Sequence, residues 1–241
     1  LDIETAPNTA HVWGLWQQNV GIPQLRESSY VLCWAAKWVG SDKVLFSSVQ
    51  RTPAKVMLEK IHGLLDEADA VIHYNGTKFD IPTLNKEFLL HGMTPPAPYK
   101  QIDLLRVVKS QFRFPSNKLD YVAQRLELGG KTKHAGHEMW IQCMANVPSA
   151  WRMMKEYNMN DVVLLEKVYD KLKPWIRNSG ANYSLHSGLK ICPNCGSSNY
   201  QHRGHAYTAT GQYRRYRCND CGNWFKDRKT ELARSSFVNV S

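Results

Sequence analysis

Hydrophobic and polar positions change period several times along the chain. Residues 30–39, YVLCWAAKWV, and 43–49, KVLFSSV, are apolar runs rich in β-branched and aromatic residues. Joined by a Gly-Ser-Asp turn, they read as two strands. From Pro53 the period becomes helical, with Met57, Ile61, Leu64 and Leu65 on one stripe. DAVIHYN (69–75) reads as a short strand, and IPTLNKEFLLHG (81–92) as a second helix closed by Gly92. After a proline-rich stretch, QIDLLRVVKSQF (101–112) starts extended and turns helical. SNKLDYVAQRLEL (116–128) reads as a helix with Ser116 or Asn117 as its N-cap. The longest helical pattern, 149–176, ends near Pro174, and RNSGANYSLHSG (177–188) is linker-like in composition. Strands followed by alternating helices predict an α/β or α+β domain around a central mixed sheet, and no internal repeat is present.

The first residues, LDIET, carry a different pattern. In a strand Leu1 and Ile3 face one way, and Asp2 and Glu4 the other. Two carboxylates on one face repel each other. Either the strand is a solvated edge or a divalent cation makes the pair favourable. A core strand ordinarily begins a few residues earlier, so further residues are expected upstream of Leu1. The loop that follows, residues 8–28, carries Trp13 and Trp16. These two rings read either as core packing or as stacking surfaces for nucleic-acid bases.

Length bounds the chain to one domain of ordinary size plus a small one. No apolar run reaches the roughly 18 residues needed to span a bilayer, and no secretory signal pattern is present. The net charge is +10, of which residues 182–241 carry +6, from nine basic and three acidic residues. A basic surface favours polyanions, nucleic acid above all. Cys33 and Cys143 are isolated and read as buried thiols. Cys192/Cys195 and Cys218/Cys221 form two Cys-x-x-Cys pairs, the spacing of a four-cysteine structural zinc site, with two disulfides as the alternative. Paired thiolates kept as metal ligands point to a reducing, cytoplasmic or other intracellular compartment.

Two further acids stand out. Asp80 lies at a strand-to-helix transition in HYNGTKFDIPTL, where it reads as a helix N-cap or a ligand. Asp161 lies in YNMND, four residues after Tyr157 on one helical face. Together with LDIET, the sequence resembles the DnaQ-like, or DEDD, family of 3′→5′ exonucleases over roughly residues 1–175. LDIET matches the first motif with Asp2 and Glu4. NGTKFD matches the second with Asp80, flanked by Asn75 and Phe79. YNMND matches the third with Asp161. Glu156 stands where one branch of the family has histidine, and Tyr157 matches the tyrosine branch, DEDDy. IDLLR, LDYVAQRLELGGKT and then a tryptophan-bearing segment before the third motif are similar to the exonuclease domains of family B DNA polymerases and their free-standing relatives.

The resemblance implies an RNase H-like fold: a five-stranded mixed sheet flanked by helices. It implies two Mg²⁺ or Mn²⁺ ions held by Asp2, Glu4, Asp80 and Asp161, with Asp2 bridging both and Tyr157 orienting the attacking water. It implies 3′→5′ hydrolysis, with DNA favoured over RNA. An exoribonuclease, or an idle nucleic-acid-binding module on the same fold, are the alternatives, and retention of all four acids and the tyrosine argues against the idle module.

The expected organisation is an exonuclease domain over 1–177, a linker over 178–189, a zinc ribbon over 190–230 and a tail over 231–241. Each Cys-x-x-Cys-Gly reads as a zinc knuckle. His202 and His205 are spare, because four cysteines fill the site, and His73, His134 and His137 read as packing or surface residues. Arg203, Arg214, Arg215 and Arg217, interleaved with tyrosines in a loop between the pairs, suit phosphate contact and base stacking. A structural ribbon, or one that binds a protein partner, is the alternative.

Overall fold

The computed structural model describes residues 1–130, 136–176, 189–208 and 211–231. The chain runs β1 (Asp2–Thr5), β2 (Thr9–Ala10), β3 (Leu25–Glu27), β4 (Val31–Lys37), β5 (Val44–Ser48), α1 (Ala54–Glu67), β6 (Ala70–His73), α2 (Asp80–Leu90), β7 (Lys100–Asp103), α3 (Leu104–Gln111), α4 (Leu119–Arg125), α5 (His137–Met144), α6 (Pro148–Leu172), β8 (Tyr200–Thr208), β9 (Gly211–Cys218) and β10 (Trp224–Lys226). It divides into two compact units, Leu1–Tyr169 and Asp170–Ser241, the division falling within α6.

The first unit is organised around β4. Val31 to Ala35 are all buried, as a strand covered on both faces requires. On one face, Ile3 of β1 and Trp34 of β4 pack with Met57, Leu58, Ile61 and Leu65 of α1 and with Leu84 and Phe88 of α2. The Trp34 indole donates to the Met57 carbonyl at 2.9 Å, so the largest of these side chains buries no unpaired N–H. On the other face, Leu32 and Cys33 pack with Met139 and Cys143 of α5 and with Ala150, Trp151, Met154 and Tyr157 of α6. Each fully buried large apolar side chain is worth roughly 1.5–3 kcal/mol, so the two faces together anchor the sheet.

β1 pairs antiparallel with β4, Ile3 opposite Trp34 and Glu4 opposite Cys33, and β4 pairs antiparallel with β5. β6 and β7 pair in parallel, Ile72 opposite Ile102. The single five-stranded sheet expected from sequence is therefore described as two sheets, of three strands and of two. The Leu1 ammonium donates to the Ile72 carbonyl at 3.1 Å, where β1 approaches β6.

Three details differ from expectation. The fourth helix begins at Leu119 with Lys118 at the N-cap position, so neither Ser116 nor Asn117 caps it. Lys118 is extended, at φ −68° and ψ 142°, and just before it the Tyr74 hydroxyl donates to the Asn117 carbonyl at 2.7 Å. Helix α5 was not legible: it is eight residues long and starts behind Gly136 at φ 64°. The tryptophan-bearing loop contains a small β2–β3 pairing, from which Trp13 and Trp16 project at 99% and 85% exposure. Core packing is thus excluded for both. The linker-like segment, His134 and residues 232–241 lie outside the described residues.

In the second unit, β8, β9 and β10 form an antiparallel sheet in that order, with β9 central. Arg214, Arg215 and Arg217 of the arginine-rich segment between the cysteine pairs lie on strand β9, in the hairpin that it forms with β8, in line with the short β-like segments expected there. A bulge between His202 and His205 of β8 contains Arg203.

Candidate active site

Alternation along β1 does the first part of the work. Ile3 turns into the apolar core, so Asp2 and Glu4 emerge on the opposite face, towards α6. Helix α6 presents Tyr157, Asn158 and Asp161 to that face, and all three are buried. Carboxylate oxygens of Asp2, Glu4 and Asp161 lie within 4.8 Å of one another. Such neighbours repel by about 3 kcal/mol or more per pair at an effective dielectric of 20. A divalent cation reverses that cost, and an all-carboxylate donor set suits the hard ions Mg²⁺ and Mn²⁺.

Around the trio sit positioning contacts that sequence reasoning missed. The Asn158 side-chain amide donates to Asp2 Oδ2 at 2.6 Å. Its carbonyl oxygen faces the Cys33 thiol at 3.9 Å. Burial, then the charges of Glu4 and Asp2, push that thiol well above its ordinary pKa, so it stays protonated and can donate. The Trp140 indole donates to Glu4 Oε2 at 3.2 Å and meets the Tyr157 ring edge-on, centroids 6.0 Å apart. Asn158 was legible in principle, being three residues before Asp161 and adjacent to Tyr157 in YNMND. Trp140 was not, since nothing in its own segment points at Glu4.

Asp80 stands apart from the trio. It is the first residue of α2, with Phe79 at the N-cap position, so the capping role is not the one it plays. Its Oδ1 accepts the backbone N–H of Ile3 at 3.1 Å, between the two β1 acids. Burial pushes its carboxyl up to about 6, against the lowering effect of that N–H bond and of the Leu1 ammonium.

The loop before Asp80 is set by tight contacts. Gly76 donates to His73 Nδ1 at 3.1 Å, and a Cβ on Gly76 would lie 2.5 Å from that ring, so only glycine fits. Burial holds the His73 imidazole down to about 4, hence neutral and able to accept. Asn75 adopts φ 68°, and its N–H is taken by Asp103 Oδ1 at 2.9 Å. Asn75 lines a cleft of about 580 Å³ together with Asp2, Tyr74, Lys109, Asn117 and Lys118. Phe79 is 44% exposed and does not line this cleft.

The four paired cysteines also converge, their sulfurs within 4.8 Å of one another. Cys192 and Cys221 sulfurs are 3.7 Å apart, Cys195 and Cys218 sulfurs 3.6 Å. Those distances exclude disulfides, whose S–S length is about 2.05 Å. They match the edge of a tetrahedron with zinc–sulfur bonds of about 2.3 Å, which is about 3.8 Å. The two pairs sit in equivalent turns: Gly196 donates to Cys192 and Gly222 to Cys218, both glycines at positive φ.

The four arginines between the two cysteine pairs are not equivalent. Arg214 is ion-paired with Glu231, which also holds His205 at 2.7 Å. Arg215 and Arg217 project from β9 with an alternation of two, and Arg215 Nε donates to the Arg203 carbonyl at 3.1 Å. Among the described residues no helix is long and apolar enough to cross a membrane.

These features define a mixed α/β domain whose clustered carboxylates suit a divalent cation. The family model for the RNase_H superfamily matches residues 25–173, well over half of the chain. The chain therefore belongs to the RNase H superfamily, which points to a nuclease-like, nucleic-acid-processing function, and RNase H-like nucleases use divalent metals. The match begins after Asp2 and Glu4, whose assignment rests on the geometry above. No match was found among curated proteins.

The Asp80 environment carries a measurable cost. Raising a carboxyl from 3.8 to about 6 penalises its charged form by about 3 kcal/mol. At pH 7 the group is charged both folded and unfolded, so the penalty is complete. It fades as pH falls through 6 and is gone below 3.8, where both states are neutral. Asp80→Asn keeps an acceptor for Ile3 and removes the charge. With no Mg²⁺ or Mn²⁺ added, urea unfolding at pH 7 should find the variant more stable, by up to about 2–3 kcal/mol. That gain should shrink steadily toward pH 4.

Proposed function

We propose that the protein is a metal-dependent 3′→5′ exonuclease of the DEDDy type, acting on single-stranded 3′ ends, with DNA favoured over RNA. The observation that carries this reading is the convergence of Asp2, Glu4 and Asp161 within 4.8 Å beside Tyr157. Two Mg²⁺ or Mn²⁺ ions, when bound, activate the attacking water and stabilise charge on the leaving oxygen. Asp2, Glu4 and Asp161 would hold one ion, and Asp2 with Asp80 the second. Asn158 keeps the Asp2 carboxylate in its rotamer, and Trp140 does the same for Glu4. The Tyr157 hydroxyl orients the attacking water, because a phenol with pKa near 10 is a poor base at neutral pH.

Substrate contact is read from the surroundings. Lys109 and Lys118 on the cleft beside Asp2 meet phosphates, Asn75 contacts the terminal nucleotide there, and Phe79 flanks Asp80. Trp13 and Trp16, exposed in the loop after β1, stack on terminal bases. We read β5-β4-β1-β6-β7 as the five-stranded mixed sheet of the fold, a reading supported by the Leu1–Ile72 hydrogen bond. Residues 1–177 form the nuclease domain, 178–189 the linker, 190–230 a ribbon around one structural Zn²⁺ on Cys192, Cys195, Cys218 and Cys221, and 231–241 a tail. The ribbon adds nucleic-acid affinity through its basic residues. Four thiolates and one Zn²⁺ contribute −2, leaving about +4 of the +6 carried by residues 182–241.

Digestion of matched 3′- and 5′-labelled DNA and RNA oligonucleotides with Mg²⁺ or Mn²⁺ tests the reading. Products should shorten from the 3′ end, faster on DNA. Faster digestion of RNA would reassign the substrate, and no digestion of either would reduce the protein to a binding module. Asp161→Asn, isosteric but uncharged, should cut the rate by at least about 100-fold, because preorganised charge is usually the largest catalytic term. A folded variant with near-full activity would sink the two-metal reading. Tyr157→Phe should lose less, while Mn²⁺ titration finds metal affinity unchanged. Removing residues 182–241 should weaken nucleic-acid binding and flatten its salt dependence, with turnover at saturating substrate nearly unaltered.

A further inference from the structure

The strand register of the second unit sorts its side chains onto two unlike faces. Across β9 and β10, Trp224 lies opposite Arg217, Phe225 opposite Tyr216 and Lys226 opposite Arg215. Side chains alternate along each strand. Tyr213, Arg215 and Arg217 therefore share a face with Trp224 and Lys226, while Arg214 and Tyr216 share the other with Phe225.

The second face is occupied by the unit's own packing. Tyr216 stacks on Phe225 at 5.5 Å, and Tyr200 meets both rings edge-on at 5.4 and 5.3 Å. Tyr216 donates to Asp227 at 3.0 Å, and Arg214 is committed to Glu231.

The first face is organised but open. The Arg215 guanidinium lies 4.9 Å from the Trp224 ring centre, and Lys226 Nζ lies 3.9 Å from that of Tyr213. Trp224 is half exposed. Among the described residues, Arg215, Arg217 and Lys226 are paired with no carboxylate. Cations held against aromatic rings lose little side-chain freedom on binding an anion, and the guanidinium plane extends the stacking surface of the indole.

We infer that the Tyr213–Arg215–Arg217–Trp224–Lys226 face is a binding platform for single-stranded nucleic acid, with phosphates on the cations and an unpaired base on Trp224. The inference rests on the proposed function and deepens it, by assigning affinity to one face and removing Arg214 from the contact set. Single strands are favoured over duplex because a base can reach an indole only when it is not paired inside a helix. An acidic protein surface would satisfy the cations and bury the ring as well, so oligo(dT) binding that ignores Trp224 would favour that occupant.

The test measures binding of the full chain to fluorescein-labelled oligo(dT), and to a duplex of equal length, across a salt series without Mg²⁺ or Mn²⁺. Arg215→Gln combined with Arg217→Gln should weaken oligo(dT) binding at least tenfold at low salt and lower the salt slope by about 1.4, at about 0.7 per phosphate. Trp224→Leu should weaken oligo(dT) binding by about tenfold while leaving the salt slope and duplex binding unchanged. Trp224→Phe should restore most of the loss, which a purely structural defect at Leu would not predict. Arg228→Gln with Lys229→Gln removes the same charge outside the sheet and should do much less. The platform is overturned if that control matches the on-face pair, or if folded Trp224→Leu binds oligo(dT) normally. Turnover separates the two readings. Face-dependent binding without hydrolysis by the wild-type chain would keep the platform and remove the exonuclease. Normal hydrolysis with face-independent binding would do the reverse.

Discussion

The backbone of Ile3 is the point on which the site depends. Its side chain is locked into the core shared by Trp34 and helices α1 and α2. Its N–H is taken by Asp80 at 3.1 Å. With one residue fixed from both sides, the alternation of β1 leaves Asp2 and Glu4 no choice but to face α6. The carboxylate cluster is thus a consequence of apolar packing on the opposite face of a strand. Its mutual repulsion is tolerated because the strand that carries it is held by burial that the charges do not share.

The same logic governs the loop that delivers Asp80. A neutral, buried His73 accepts the Gly76 N–H, Asp103 accepts the Asn75 N–H, and a left-handed Asn75 turns the chain between them. These contacts act first on the backbone. They fix where a helix starts, and so where a carboxylate with a raised pKa sits. Holding a charge in a place that penalises it is a stability cost, which on the proposed function is accepted because a cation would bind there.

The C-terminal unit divides its work by face. One side of its small sheet is closed by aromatic stacking and by carboxylate pairs at Asp227 and Glu231. The other carries cations laid on rings with no such pairing among the described residues. In so small a unit the sheet cannot bury both faces, and on the proposed function a structural Zn²⁺ on the four cysteines would supply much of the folding energy that a core would otherwise provide.

Much of this was legible in the one-dimensional pattern. Period two in LDIET placed Asp2 and Glu4 side by side, the spacing of four put Tyr157 and Asp161 on one helical face, and the paired Cys-x-x-Cys runs marked a four-sulfur cluster. Local periodicity also placed most helices and strands, because i, i+2 and i, i+4 relations are properties of the chain itself. Tertiary structure decided the rest. That Asn158 holds Asp2, that Trp140 holds Glu4, and that Asp80 binds Ile3 rather than capping its own helix are contacts between residues 77 to 156 positions apart. The exposure of Trp13 and Trp16, and the separation of Arg214 from Arg215 and Arg217, depended on strand pairing. Composition cannot supply these, because hydrophobicity states what a side chain prefers and only packing determines which neighbour it meets.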